Sequence, residues 1–375
     1  MKVSEKNKQH RKNSRRRSSH SPKAANKAPR KTKNRAKRKS MKKALFDLKR
    51  KIPWMAIVKF VAFQLVFAAI TMPLLIFYGP FGNIKNTIVG TSWATWKHQY
   101  IAKFFLSDSA IERIVGSEFA EDLGEDIIDI NIDPNPINKI EVINIEGGIL
   151  SGKLIKVYDP TRVKVGYSSQ LPSEGEPTST IAQRYGAVAA INAGGLVDKN
   201  WTGVGEPYGV IIHNGNIIYN DTQLGERVEI IGFRDNGMLV VGKYTLEVLK
   251  EMSVNEAITF GPTLILNGKP AITGNNDGGW GIAPRTAIGQ TIDGVVLLLV
   301  IDGRSVTSGF GATLRDVQDI LLENGAYNAA NLDGGSSTTM YYNGKVINEP
   351  SDSLGERSVP SIFMVLPDGR ESSRE

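Results

Sequence analysis

Two carboxylates stand beside glycine at the ends of apolar runs. Asp302 follows Val295 to Ile301 in Ile301-Asp302-Gly303-Arg304, and Asp333 lies within Asn331-Leu332-Asp333-Gly334-Gly335-Ser336-Ser337. A carboxylate pair of this kind can move a proton or stabilise a developing positive charge. The glycines allow close approach of backbone to a ligand and can leave successive N–H groups for an anion, to which Ser336 and Ser337 add hydroxyls. Arg304 stands next to the first carboxylate, and Arg285 lies upstream in Pro284-Arg285-Thr286. The chemistry suggested is acid–base or electrostatic work next to a bound anion.

Positioning these groups requires two strands and a helix. Val295 to Ile301 is an unbroken, β-branched-rich apolar run, the pattern of a strand buried on both faces. The next element is a helix with Thr313 as N-cap, Asp316 three residues on and Gly325 just past the end. Leu314, Val317, Ile320 and Leu321 share one face of it, so it packs on the sheet and returns the chain toward Asp333. One crossover helix thereby brings two carboxylate-bearing strand ends together. The strand Ala187 to Asn192, leading into Asn192-Ala193-Gly194-Gly195, repeats the arrangement with Asn192 as its polar side chain.

Read together, Asn331 to Met340 (NLDGGSSTTM), Pro284 to Gly289 (PRTAIG) and Asp302-Gly303-Arg304 resemble blocks of the phosphodiester glycosidase family. Ala190 to Gly194 (AINAG) and Phe260-Gly261-Pro262 resemble further blocks, in the family's order, over roughly residues 140–368. The resemblance implies hydrolysis of a sugar joined through its anomeric carbon to a phosphodiester. It also sharpens the roles. An ordinary glycosidase must protonate an alkoxide leaving group, whereas phosphate leaves as a stable anion and mainly needs its charge held. Arg285 and Arg304, with Thr286, Gly334, Gly335 and Ser336, are the candidates for holding it. Asp302 and Asp333, with Asn192 and Glu206, are the candidates for the chemistry at the sugar, and Arg357 is a further arginine near the C-terminus. Two features depart from the family pattern. Gly195-Leu196 stands where aromatics are expected, and Ser336 where a third glycine is.

Charge divides the chain sharply. Residues 1–51 hold 22 Lys or Arg against two acids, a net of +20, so with +8 for the whole chain the remainder carries −12. A tail this basic, rich in Ser, Asn and Pro, cannot bury a core, and residues 1–52 are expected to be disordered. Trp54 to Tyr78 is apolar and long enough to cross a bilayer, with Lys59 near the basic end where it can snorkel. The positive-inside rule then leaves the tail in the cytoplasm and the rest outside, with residues 53–79 as a retained signal anchor in the plasma membrane. A membrane partner explains the basic tail more simply than nucleic acid, so no nucleic-acid binding is expected.

Residues 80–135 read as juxtamembrane helices and an acidic linker, with a short helix from Ser107 to Val115, and residues 136–370 as the phosphodiester glycosidase-like domain. Within that domain Ile140 to Ile145, Ile149 to Val157 and Val163 to Tyr167 read as strands, and Ser179 to Tyr185 as a helix. Asn-Gly pairs at 214–215, 236–237, 267–268 and 343–344 predict four hairpins. The fold class is therefore α+β: a β-rich mixed sheet with hairpins and a few packed helices, preceded by one transmembrane helix.

Composition excludes some machinery. With no cysteine, thiol catalysis and cysteine metal sites are ruled out, and of four histidines only His213 lies in the main domain. It sits in an alternating pattern beside an Asn-Gly turn and is expected to face solvent. The loop Thr273 to Gly281 (TGNNDGGWG) reads equally as a mobile lid carrying Trp280 and as an ordinary surface loop. Its Asn275, Asn276 and Asp277 could offer oxygens to a calcium ion, although the ordered EF-hand spacing is missing. The expected partner is a carbohydrate phosphodiester of the cell envelope or an exopolysaccharide. The competing readings are a non-catalytic glycan-binding module and a scaffold on the same fold. The complete set of Asn192, Arg285, Asp302, Arg304 and Asp333 favours an enzyme.

Overall fold

The computed structural model describes residues 35, 37–43, 54–93, 99–116, 127–134, 136–147, 150–198, 205–274, 276–304 and 309–368. Most of the basic tail lies outside them, although residues 37–43 are helical. The chain forms two compact units, Met1–Thr71 and Met72–Glu375, which divide inside the helix Trp54–Tyr78. That 25-residue helix coincides with the apolar stretch and is long and apolar enough to cross a membrane.

In the second unit, the short helices Gly82–Trp93, Gln99–Phe105 and Asp108–Gly116 share a small core with the last turn of the long helix. Phe77, Val89, Ala102 and Ile111 are its buried members. Residues 127–134, assigned by sequence to the linker, lie along the β-rich domain. The Ile128 amide donates to Asn267 Oδ1 (2.8 Å), Arg234 pairs with Asp129 (2.8 Å), and Ile130 is buried.

The domain is α+β. Its seven-stranded sheet runs in the order Ile140–Gly147, Leu150–Val157, Val296–Ile301, Arg285–Thr291, Ala326–Leu332, Thr263–Leu266, Lys269–Pro270. Every residue of Val296–Ile301 is buried, because alternate side chains serve two cores. Val296, Leu298 and Val300 enter the core shared with the other sheets, while Leu297, Leu299 and Ile301 meet Leu314, Val317 and Leu321 of the helix Leu314–Glu323. That helix has the expected ends: a capping box between Thr313 and Asp316, and Gly325 at φ 83° beyond it.

Two five-stranded antiparallel sheets and two small two-stranded ones make up the rest of the β-sheet structure among the described residues. One five-stranded sheet runs Leu239–Tyr244, Val228–Arg234, Val254–Thr259, Val210–His213, Asn216–Asn220. The other runs Lys345–Val346, Met340–Tyr342, Ala189–Asn192, Ser361–Val365, Val163–Tyr167. All four Asn-Gly pairs form hairpin turns between adjacent strands.

Candidate active site

The three central strands of the seven-stranded sheet decide the geometry. Arg285 pairs with Ile301 on one side, and on the other Thr286 pairs with Leu332. The first residue of the Arg285–Thr291 strand is therefore flanked by the ends that carry Asp302 and Asp333. Strand spacing puts the two aspartate backbones about 10 Å apart. The helix Leu314–Glu323 links those ends across the intervening antiparallel strand, as the sequence predicts, but Arg285 between them is a product of register alone.

Asp302 is buried at 4% exposure, and its Oδ1 accepts from Asn348 Nδ2 (2.9 Å) and the Glu349 amide (3.0 Å). Burial raises its pKa, opposed by those two donors. Asn348 is buried too: it donates to the Thr338 carbonyl (3.2 Å) and accepts from the Met340 amide (2.7 Å), and so fastens Asp302 to the turn that follows Asp333. Asn348-Glu349-Pro350 reads as an ordinary turn, and nothing in the sequence signals this role.

Asp333 stands where the sheets converge, its amide donating to the Ala193 carbonyl (3.0 Å). Burial pushes its carboxyl up to about 6, against the pull of the Ser337 hydroxyl, the Arg357 charge and the Gly334 amide. Tyr208 lies close enough that the Asp333 charge adds to burial in raising the phenol's pKa. The Tyr208 ring tilts against Phe260 at 6.0 Å between centroids. A side chain at Gly195 would meet both rings at 3.2 Å, so these rings occupy the space where the family pattern leads one to expect aromatics.

Asn192 is fully buried, and its amide is used by the fold. Nδ2 donates to the Asp333 carbonyl, while Oδ1 accepts from Thr286 Oγ1 (2.8 Å) and the Thr339 amide (3.0 Å). Asn192 and Thr286 thus hold the Asp333 turn in place. Glu206, on the short strand Gly205–Pro207, is exposed. Its charge is felt at Tyr219 rather than at either aspartate.

The arginines differ. Arg285 is buried and grips backbone carbonyls: Nε to Ala312 (3.1 Å), and Nη2 to Trp280 (3.0 Å) and Gly281 (2.6 Å). Burial lowers its pKa to about 10, the neighbouring Arg304 charge adds to the lowering, and Asp277 and Asp316 oppose it. Arg304 has a left-handed backbone (φ 59°) and an exposed side chain, yet desolvation around its guanidinium still lowers its pKa. No carboxylate pairs with Arg304 among the described residues. Its fork lies beside Gly335, where a Cβ would come within 3.6 Å of Nη2. Ser336 Oγ accepts from Arg357 (3.3 Å). Two like charges stand side by side, the outer one facing solvent, and the positive field of such a pair attracts anions.

The glycines serve a purpose other than the expected one. Gly335 N–H donates to the Pro284 carbonyl (2.8 Å) at φ 63°, so that amide is already used. A Cβ at Gly334 would meet the same carbonyl at 2.8 Å, and one at Gly303 would meet Gly311 at 2.6 Å. Glycine is required here because backbone crosses backbone.

The loop read as a lid is tied down, by Arg285 and by Arg315 Nη1 on the Ile272 and Gly274 carbonyls (3.2 Å each). Within it Asn276 Oδ1 and Asp277 Oδ1 accept from the loop's own amides at Gly278 and Gly279, and Asn275 lies outside the described residues. No cluster of three or more His, Asp or Glu suited to a metal occurs among the described residues. His213 is not turned to solvent: its ring packs edge-on against both Tyr167 and Tyr185 in a three-ring cluster, with Nδ1 3.3 Å from Glu256.

Residues 185–366 match the family model described as phosphodiester glycosidase. The chain is 32% identical over 228 residues to the SPbeta prophage-derived uncharacterized protein YomE of Bacillus subtilis (strain 168), an alignment covering 58% of this chain and 33% of that one. It is 28% identical over 233 residues to the N-acetylglucosamine-1-phosphodiester alpha-N-acetylglucosaminidase of Mus musculus, covering 56% of this chain and 43% of the mouse protein. The chain therefore spans less than half the length of these curated relatives. Among solved structures it resembles the catalytic domain of the zebrafish enzyme of that name, described as auto-inhibited by its pro-peptide. The TM-score is 0.51 at 24% identity, over 63% of this chain and 84% of that one, a likeness of fold.

Proposed function

We propose, from the premise that residues 185–366 carry a phosphodiester glycosidase domain, that this chain hydrolyses the bond between a sugar's anomeric carbon and a phosphodiester. It acts outside the cytoplasm, held in the plasma membrane by Trp54–Tyr78 with the basic tail inside, on glycans of the cell envelope or on exopolysaccharide. The observation that carries the reading is the alternation of charge at one end of the central strands: the buried Arg285 between the Asp302 and Asp333 strand ends, with Arg304 beside it and exposed.

In this reading Arg304 takes two phosphate oxygens in its fork. Arg285, committed to the 280–281 carbonyls, adds positive charge from behind. Water attacks the anomeric carbon, the carbon–oxygen bond to phosphate breaks, and its electron pair leaves on the phosphate. Asp333, with a pKa pushed up to about 6, accepts the water's proton. Asp302, held by Asn348 and the Glu349 amide, stabilises the positive charge that develops on the sugar. Asn192 and Thr286 act through Asp333 by fixing its turn.

The test is turnover by the purified full-length chain on sugar-1-phosphodiesters and teichoic-acid-like polymers. An aryl glycoside of the same sugar serves as a comparison whose leaving group carries no phosphate charge. Hydrolysis of the phosphodiesters is expected. Binding without turnover on every one of them would instead make this a glycan-binding module. For topology, protease added to intact protoplasts should remove the domain and spare the tail, and a protected domain would refute the proposed orientation.

A further inference from the structure

The helix Trp54–Tyr78 spans about 37 Å at 1.5 Å per residue, somewhat more than the hydrocarbon thickness of a bilayer of about 30 Å. If its apolar length crosses the membrane, as proposed above, its last turn emerges at the lipid headgroups. That turn is fastened to the helix Gln99–Phe105. Tyr78 Oη donates to the Phe105 carbonyl (2.5 Å), and the Phe77 and Phe105 rings stack at 4.3 Å. The Gln99–Phe105 helix is therefore held at the level where the long helix ends.

The side chains it presents there are apolar. Phe104 is 81% exposed and packs edge-on against Phe105, and Tyr100, one turn earlier on the same face, is 68% exposed. Phe81, three residues after Tyr78, and Ile84, three further on, are also exposed. These residues do not belong to an unfinished core, because Val89, Ala102 and Ile111 already form one and are fully buried. Large exposed apolar side chains on an ordered unit call for a cover, and Tyr100, whose ring is apolar with a polar tip, favours the membrane interface.

We propose that this helical unit lies in the headgroup layer of the bilayer, with Phe81, Ile84, Tyr100 and Phe104 as its lipid-facing side chains. The inference rests on the anchored reading of Trp54–Tyr78. It has a consequence for the site. Gly90, in the helix Gly82–Trp93, lies directly against the Gly279 backbone, leaving no room for a side chain. The carbonyls of the next two residues, Trp280 and Gly281, are those that Arg285 grips. The unit that rests on the lipid also braces the loop behind the candidate phosphate site, which suits a substrate presented at the membrane surface.

Because the chain has no cysteine, single nitroxide labels can be placed cleanly. Tyr100→Cys and Phe104→Cys report the proposed surface, Phe67→Cys the middle of the long helix, and Leu224→Cys, at 94% exposure, a watery reference. The full chain is reconstituted in phosphatidylethanolamine/phosphatidylglycerol vesicles, and each label's accessibility to oxygen and to a water-soluble nickel chelate is measured. The oxygen-to-nickel ratio at 100 and 104 should exceed that at 224 several-fold and fall below that at 67. A deep signal at 67 with watery signals at 100 and 104 overturns the inference and leaves the anchor standing. A watery signal at 67 overturns both. Spin–spin broadening at 100 and 104 that disappears on dilution with unlabelled chain would mean that a second copy, not lipid, covers these rings.

Discussion

Glu256 and Asp333 are both enclosed carboxylates in the same domain, and the fold treats them differently. Glu256, 1% exposed, accepts from the amides of Val165 (2.8 Å) and Asn214 (3.1 Å), with Lys164 at 3.7 Å and His213 at 3.3 Å. It ties the strand Val254–Thr259 to Val163–Tyr167 and to the end of Val210–His213, joining two sheets. Asp333 is less completely hidden, yet its donors do not offset its burial and its carboxyl is pushed up to about 6. A buried carboxylate ringed by donors holds structure together. One whose burial is only partly offset by the Ser337 hydroxyl, the Arg357 charge and the Gly334 amide can take up or release a proton near neutral pH.

The largest expected effect separates the two directly. Asp333→Asn should lower the rate on a sugar phosphodiester by about 10²- to 10⁴-fold, the usual contribution of a general base. It should not unfold the protein. Because the folded pKa lies above the ordinary value of 3.8, the Asp333 contribution to stability is present below pH about 4 and is lost as pH rises through about 6. At pH 8 the ionised carboxyl costs up to about 3 kcal/mol, so Asp333→Asn should melt higher than wild type at pH 8 and not at pH 4. Thermal melts at both pH values check this. For the wild type, kcat/KM should fall below pH about 6 with unit slope.

Arg304→Lys keeps the charge and loses the fork. It should cost about 2–4 kcal/mol of transition-state binding, or about 30- to 1,000-fold, on the phosphodiester and far less on the aryl glycoside. Equal losses on both substrates would place Arg304 among the structural groups, alongside Glu256.

On the other side of the comparison, Glu256→Ala leaves buried amides without an acceptor and should destabilise by about 3 kcal/mol in denaturant titration, with turnover per folded molecule unchanged. The smallest effect belongs to a residue between the two classes. Asn348→Leu removes one donor from Asp302 and should lower kcat by about tenfold, in line with one lost hydrogen bond to a charged group. Since that donor opposes the upward shift of Asp302, its loss should raise the Asp302 pKa further and add a second ionisation to the acid limb, steepening it beyond unit slope. A purely structural Asn348 would lower stability and leave the profile in place.

Local sequence was a reliable guide wherever a local rule was sufficient. The apolar run gave Trp54–Tyr78, the Thr313 capping box gave its helix, four Asn-Gly pairs gave four hairpins, and Val163–Tyr167 appears with the expected ends. Each rests on a periodicity or a turn preference that neighbouring residues express by themselves. The pairing of Asp302 with Asp333 through one helix was legible for the same reason, since a strand, a capped helix and a return strand leave few topologies.

What the tertiary structure decided was the use of each polar group, because hydrogen bonds between residues distant in the chain carry no local signature. Asn192 reads as a site residue and proves to be bonded to Thr286 and Asp333, over 90 residues away in sequence at the least. His213 reads as a surface residue and is packed against Tyr167, from a strand of another sheet, and Tyr185, from a helix end. Gly334 and Gly335 read as an open cradle, but strand register brings Pro284 against them and takes the Gly335 amide. The residue types that could do this chemistry were fixed by sequence. Which of them were left free to do it depended on register, since a one-residue slip of Arg285 between its neighbours would carry its guanidinium to the opposite face of the sheet.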